Sequence, residues 1–355
     1  MTILQHSFGP TTIAQVRTSA ELKQILVDPW LQSETIIIKP NWVSDSRADF
    51  TDAGTLRMLL EALDSRIIVT ESYGLARSMN LLDEGMSFRV GGKEVNWKWL
   101  LKGDGWKWLI ENPDWDWFRK EGHWEQLKKE DKAFLDRHGF TDLFREFDVT
   151  YINVTEEVWS GRIADPAEVK KSVEARFKPV RVQKLYSMVP KRLYDLRGST
   201  FISLARLKMY ATFTMKNLFG MIPDPLKPWW HGTQNRTIAD SIVEINKIYH
   251  ALFDVYGICE GLNTSAVIHP EGQFEGVYTG KYNVVEGMGF VAFGRSLPSL
   301  DAILLGLTDP SLRRIADVNR APIEMSEKEF GAYDRSAVDE AKSLLADWLS
   351  AQLKG

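Results

Sequence analysis

One cysteine, Cys259, stands in 355 residues. With no second thiol, an internal disulfide, a thiolate-ligated zinc and a cysteine-held iron–sulfur cluster are excluded within this chain. A lone cysteine usually packs as a small core residue. Long apolar runs are missing too. None approaches the roughly 20 residues of a membrane-spanning helix, so no membrane is expected as a partner. The first ten residues lack a basic start and an apolar core; no signal peptide is expected, and the cytoplasm is the default location. Nor does one sign of charge dominate: 44 Lys and Arg face 48 Asp and Glu, a net charge of -4. No overall field attracts nucleic acid, and any anion binding must be local. Nucleophile elbows, Walker loops and zinc-protease helices are absent, and Gly287-Met-Gly289 lacks the third glycine of a dinucleotide fingerprint.

What is present suits a globular chain, 44% hydrophobic and 26% charged. Short apolar runs alternate with helical periodicity. Residues 12–17 read as an edge strand, and Ser19 to Val27 as a helix capped by Ser19. Thr35–Ile38 reads as a buried strand that Pro40 stops, since proline has no N–H for the ladder. A helix over Asp52–Leu63 follows, with Leu56, Leu59, Leu60 and Leu63 on one face. Then come strands at Arg66–Thr70, Val149–Val154, Thr200–Leu204, Val255–Cys259 and Phe290–Phe293. Thr237 to Phe253, Pro298 to Leu307 and Ser336 to Leu353 carry helical spacing, Glu125 to Phe147 is helical with a break near Gly139, and residues 262–289 read as a long loop or hairpin. Repeated strand–helix–strand units predict an α/β fold: a mostly parallel open sheet flanked by helices.

Residues 93–124 differ. Seven of the 13 tryptophans fall here, six of them as Trp97/Trp99, Trp106/Trp108 and Trp115/Trp117 at a nine-residue step. The division predicted is an α/β core of 1–92 and 140–355, with 93–139 a Trp-rich helical insertion or lid whose rings pack against the main body.

The densest polar chemistry follows the 200–204 strand, from Arg206 through Lys208, Tyr210, Thr214, Lys216, Asn217 and Gly220 to His231. Open α/β sheets build sites on the loops at strand ends. Lys39 and Asn41 leave one strand the same way, Glu71 another, and Glu260 a third. Asp45, Asp49 and Asp52 crowd one loop; hard cations favour such oxygens, but the spacing matches no calcium loop and no metal is expected. Asp52 also suits the N-terminus of the next helix.

Lys39-Pro40-Asn41, Glu71-Ser72, Lys208, Lys216-Asn217-Leu-Phe-Gly220 before His231, Gly257-Ile-Cys-Glu260-Gly261 and Ser299-Leu-Asp301 before Leu305-Gly306 follow one order. In that order the chain resembles domain-of-unknown-function family 362 over most of residues 30–310. The resemblance implies an α/β fold and no generally assigned reaction. Many relatives carry ferredoxin-like cysteine motifs; this chain has none, so an iron–sulfur cofactor is not expected and the cofactor is otherwise unassigned. Where relatives often show Lys-Thr-His, this chain has Lys208-Met209-Tyr210, and Tyr210 stands in place of the histidine. The Trp-rich segment looks like an insertion peculiar to a subgroup.

Three ammonium groups near one sheet rim repel each other and call for an anion. The expected function is therefore a small-molecule metabolic or biosynthetic enzyme for a carboxylate or phosphate substrate. Lys208, Lys216, His231, Glu71 and Glu260 are the candidate catalytic residues; Lys39, Asn41, Tyr210, Thr214 and Asn217 the candidate substrate contacts. His231 is expected to titrate near neutrality, and a crowded lysine to act as a base or amine nucleophile. Two alternatives stand beside this: metal-assisted chemistry through His231, Glu71, Glu260 or Asp301, and a non-catalytic carrier of an anionic metabolite. The sequence leaves a homo-oligomer open.

Overall fold

The computed structural model describes residues 4–78, 87–90, 93–96, 99, 103–112, 120, 123–208, 213–268, 271–276, 280–307 and 316–354. Thirteen strands are described: β1 Leu4–Phe8, β2 Thr11–Gln15, β3 Thr35–Lys39, β4 Arg66–Glu71, β5 Ser87–Val90, β6 Lys93–Asn96, β7 Thr150–Asn153, β8 Thr200–Arg206, β9 Asp254–Gly261, β10 Thr264–Ile268, β11 Phe274–Gly276, β12 Gly280–Glu286 and β13 Phe290–Gly294.

Eight of them form one sheet in the order β1-β2-β13-β9-β8-β3-β4-β7. From β9 to β7 every pairing is parallel, whereas β13, β2 and β1 are added antiparallel. The strand read over 12–17 is therefore not an edge. β1 covers it; its polar Leu-Gln-His-Ser-Phe is mostly exposed and carries no core-like run to read.

The central strands are apolar on both faces, as helix-covered parallel strands must be. Successive side chains alternate. Ile37, Ile68, Phe201, Ala205, Val255 and Cys259 join one core, under the helices Pro166–Glu174, Ile238–Leu252, Leu297–Leu307 and Arg335–Lys354. Ile36, Ile38, Ile67, Val69, Ile202, Leu204 and Ile258 join the other, under Ser19–Ile25, Ala53–Ala62 and Phe140–Glu146. The fold is thus a layered α/β sheet with helices on both sides.

Local chemistry sets the ends of several elements. Thr18, not Ser19, caps the first helix by accepting from Glu21 N. Asp52 caps Ala53–Ala62 by accepting from Thr55 N at 2.8 Å. The break near Gly139 is real: Gly139 takes φ 76° between His123–Arg137 and Phe140–Glu146, a conformation that favours glycine. Residues 262–289 hold a three-stranded antiparallel sheet, β10-β12-β11, in place of a loop or single hairpin.

Of the Trp-rich stretch, Trp97, Trp115 and Trp117 lie outside the described residues. Trp99 and Trp108 are tilted against each other at 6.2 Å. The helix His123–Arg137 contributes Phe134 and Leu135 to the same core as Trp42 and Phe50. No described helix is long and apolar enough to cross a membrane.

Candidate functional site

β3 leads to β4 on one side of the sheet, whereas β8 leads to β9 on the other, and β3 and β8 are neighbours. The crossovers part above these two strands. Such a reversal opens a crevice at the carboxyl ends of the strands. Lys39 ends β3, Glu71 ends β4, Arg206 ends β8, and Glu260 is the penultimate residue of β9.

Lys39 and Glu71 form a buried pair, Nζ to Oε2 at 2.6 Å. The same ammonium donates to Pro40 O at 2.9 Å and to Asn217 Oδ1 at 3.1 Å. Asn217 Oδ1 also accepts from Asn41 Nδ2 at 3.1 Å, while Asn217 Nδ2 donates to Lys39 O and Ser203 Oγ. Lys39, Asn41, Glu71 and Asn217, distant in sequence, thus share one network. Burial lowers the Lys39 ammonium to about 8, with Glu71 opposing the shift. Gly220 lies against this pair. A Cβ there would stand 2.5 Å from Lys39 Nζ and 2.9 Å from Glu71 Oε1, so only glycine lets the backbone pass.

A second network lies beyond β8. Lys208 Nζ reaches Asp49 Oδ1 at 2.6 Å and Asp49 O at 2.5 Å. Arg206, fully buried, pairs with Glu260 and Asp52, both at 3.2 Å, and with Thr264 O and Oγ1. Burial pushes the Glu260 carboxyl up to about 7 against the pull of Arg206. The three loop aspartates therefore have separate cations: Asp45 has Arg137, with His138 as a further hydrogen-bond partner, Asp49 has Lys208, and Asp52 has Arg206. Among the described residues no three His, Cys, Asp or Glu gather as metal ligands.

Lys216 is different. It stands on the short helix Thr214–Leu218, half-buried, with Nζ 4.1 Å from the centroid of the Phe219 ring. Among the described residues no carboxylate pairs with it. Burial, then the neighbouring charges of Lys227, Lys39 and Lys208, lower its ammonium to about 7. His231 packs edge-on against the other contact of that lysine, Phe219, with ring centroids 5.0 Å apart. Its Nδ1 lies 2.9 Å from Asn235 Oδ1, an acceptor, which puts the ring proton on Nδ1. Burial and the Lys216 charge lower His231 to about 3. The expected titration near neutrality is therefore displaced, and His231 is a neutral imidazole at pH 7.

Thr214 faces elsewhere. Its N–H and hydroxyl donate to Asp301 Oδ1 at 2.9 and 2.6 Å, and Met215 N donates to Oδ2 at 2.9 Å. Asp301 thus anchors the first turn of the Lys216 helix, and burial raises its carboxyl to about 7. Tyr210 lies outside the described residues. Glu71, Glu260 and Asp301, named together with His231 as metal ligands, engage Lys39, Arg206 and the Thr214 turn respectively.

Lys227 escaped the sequence reading. It donates to Ser72 Oγ at 2.6 Å and Tyr73 O at 3.1 Å, and sits 3.5 Å from Asp224. The signal was available: Pro223 and Pro225 turn the chain just before it, between Gly220 and the Trp229-Trp230-His231 run.

No curated protein and no solved structure matches this chain. One family model does, described as Domain of unknown function (DUF362), over residues 36–305. That span runs from within β3 into the Leu297–Leu307 helix and takes in the strand-end rim described above. By that match the chain belongs to the DUF362 family.

Proposed function

We propose that the protein is a small-molecule enzyme that holds an anionic substrate, a carboxylate or a phosphate, at Lys216 and reacts it by acid–base chemistry. The observation that carries this reading is a contrast in pairing. Lys39, Arg77, Arg206 and Lys208 are buried and each reaches a carboxylate. Lys216 reaches an aromatic ring. An ammonium taken from water without a counter-charge is costly, and a ligand anion supplies the missing partner. At pH 7 the same amine is divided between charged and neutral forms, so it is able both to hold an anion and to accept a proton. Neutral His231 packs beside it against the same Phe219 ring. Glu260, poised near 7 beside Arg206, is able to exchange a proton. Lys39, Asn41 and Asn217 hold the rim in shape, with Glu71 as the counter-charge of Lys39.

Thermal unfolding of wild type and Lys216→Met against a panel of carboxylates and phosphates tests the reading. A ligand at one hundred times its Kd stabilises the native state by about 2.7 kcal/mol. Wild type should gain this with at least one anion and the variant should not. Equal gains in both would remove Lys216 from the site. Binding without turnover of any bound anion would favour a carrier.

A further inference from the structure

We propose that Lys216 is an amine nucleophile whose substrate carries an aldehyde or ketone beside its anionic group, and that the two condense to an imine. This rests on the anion-binding reading above and names the substrate class within it. Three geometric facts support it. First, Lys216 is half-buried rather than sealed, so its side chain is open to approach from one side. Second, no carboxylate among the described residues holds the amine in its ammonium form, unlike Lys39 and Lys208. Third, the amine packs against Phe219 away from bulk water and stands among other cations, and desolvation and neighbouring positive charge make a lysine a usable nucleophile at neutral pH. The cations serve twice: with burial they favour the neutral form of Lys216, and they attract the acid group of the substrate.

The step balances without a redox partner. The Nζ lone pair attacks the carbonyl carbon, forming a C–N bond while the π pair moves to oxygen. A proton passes from nitrogen to that oxygen. The carbinolamine then loses water, leaving C=N. Nothing is oxidised or reduced. The imine draws electrons from the adjacent carbon, which eases proton loss or decarboxylation there.

The test is reductive trapping on the intact protein. Wild type and Lys216→Arg are incubated separately with glyoxylate, pyruvate and pyridoxal 5′-phosphate, then treated with borohydride and mapped by peptide mass spectrometry. Glyoxylate and pyruvate represent 2-oxo acids; the third probe represents an aldehyde phosphate. One probe should label Lys216 roughly tenfold to a hundredfold above the surface lysines, which remain almost fully protonated. Lys216→Arg keeps the positive charge but should lose that label. Which probe reacts separates the two sources of the shared chemistry.

Labelling spread evenly over surface lysines would overturn the proposal. So would no labelling at Lys216 while the same probes still raise the unfolding temperature of wild type; in that case the anion-binding reading survives and the imine does not. No labelling and no stabilisation by any anion would remove both.

Discussion

Arg77 and Lys216 occupy comparable places. Each sits on a short helix just after a central strand, Arg77 on Leu75–Ser78 after β4 and Lys216 on Thr214–Leu218 after β8. Their surroundings are opposite. Arg77 is fully enclosed: it pairs with Asp131 at 2.5 Å, donates to Trp42 O at 2.6 Å and Ser72 O at 2.8 Å, and lies near the Trp42 and Phe134 rings. Asp131 is held in turn by Tyr151 and Asn153. Among the described residues Lys216 has the Phe219 ring and no carboxylate. One cation is built into the scaffold; the other is left to be completed. A buried charge with its counter-ion built in rigidifies a fold, whereas one without a counter-ion marks where a ligand is expected.

The largest test of this contrast is Asp131→Leu. It strips Arg77 of its counter-charge in a closed setting and should cost about 3–5 kcal/mol in urea unfolding. Gly220→Ala follows. Its methyl group would displace Lys39 from Glu71, with a loss of roughly 1–3 kcal/mol by the same measurement. Lys216→Met should run the other way. Removing an unpaired, desolvated ammonium should stabilise the ligand-free protein at pH 7 by about 1–3 kcal/mol while abolishing anion binding. A destabilised Lys216→Met would put Lys216 in the same class as Arg77.

The pH dependence sharpens the same point. The folded-state value of Lys216, about 7, lies below its ordinary 10.5. Between those limits the unfolded chain holds the extra proton, so this lysine makes stability rise with pH. The difference between wild type and Lys216→Met should therefore shrink as pH climbs from about 7 toward 10. A difference constant across that range would contradict the shift. Smallest of all is Arg57→Ala, which breaks an exposed pair with Glu146. Its urea midpoint should stay where wild type has it.

Much of the fold was legible because buried strands in a parallel sheet are short apolar runs, and Pro40 marks where β3 must stop. From that alone Lys39, Asn41 and Glu71 were placed at strand ends, and Lys216 and His231 near one another. What was not legible is pairing. Lys208 finds Asp49 across 159 positions, and Arg206 finds Glu260 because β8 and β9 are neighbours. Partner choice depends on strand order, which periodicity does not carry. Thr214 shows the cost of this: its hydroxyl reads as a ligand contact, yet Asp301, from a helix far along the chain, takes it. β1 was missed for a simpler reason, since a polar edge strand lacks a core-facing pattern.

The Lys39–Asn217 hydrogen bond has a consequence for synthesis. Its two ends are 178 positions apart. At the usual 5–20 residues per second, Lys39 leaves the ribosome roughly 10–35 s before Asn217 does. For that interval neither Asn217 nor the Gly220 backbone is there to enclose the ammonium and its glutamate, so the β3–β4 half of the rim stays wet until β8 has paired with β3 and residues 214–220 have docked behind it. Nascent chains stalled before residue 200 should accordingly show free solvent exchange at those β3 amides that bond β8 in the finished sheet.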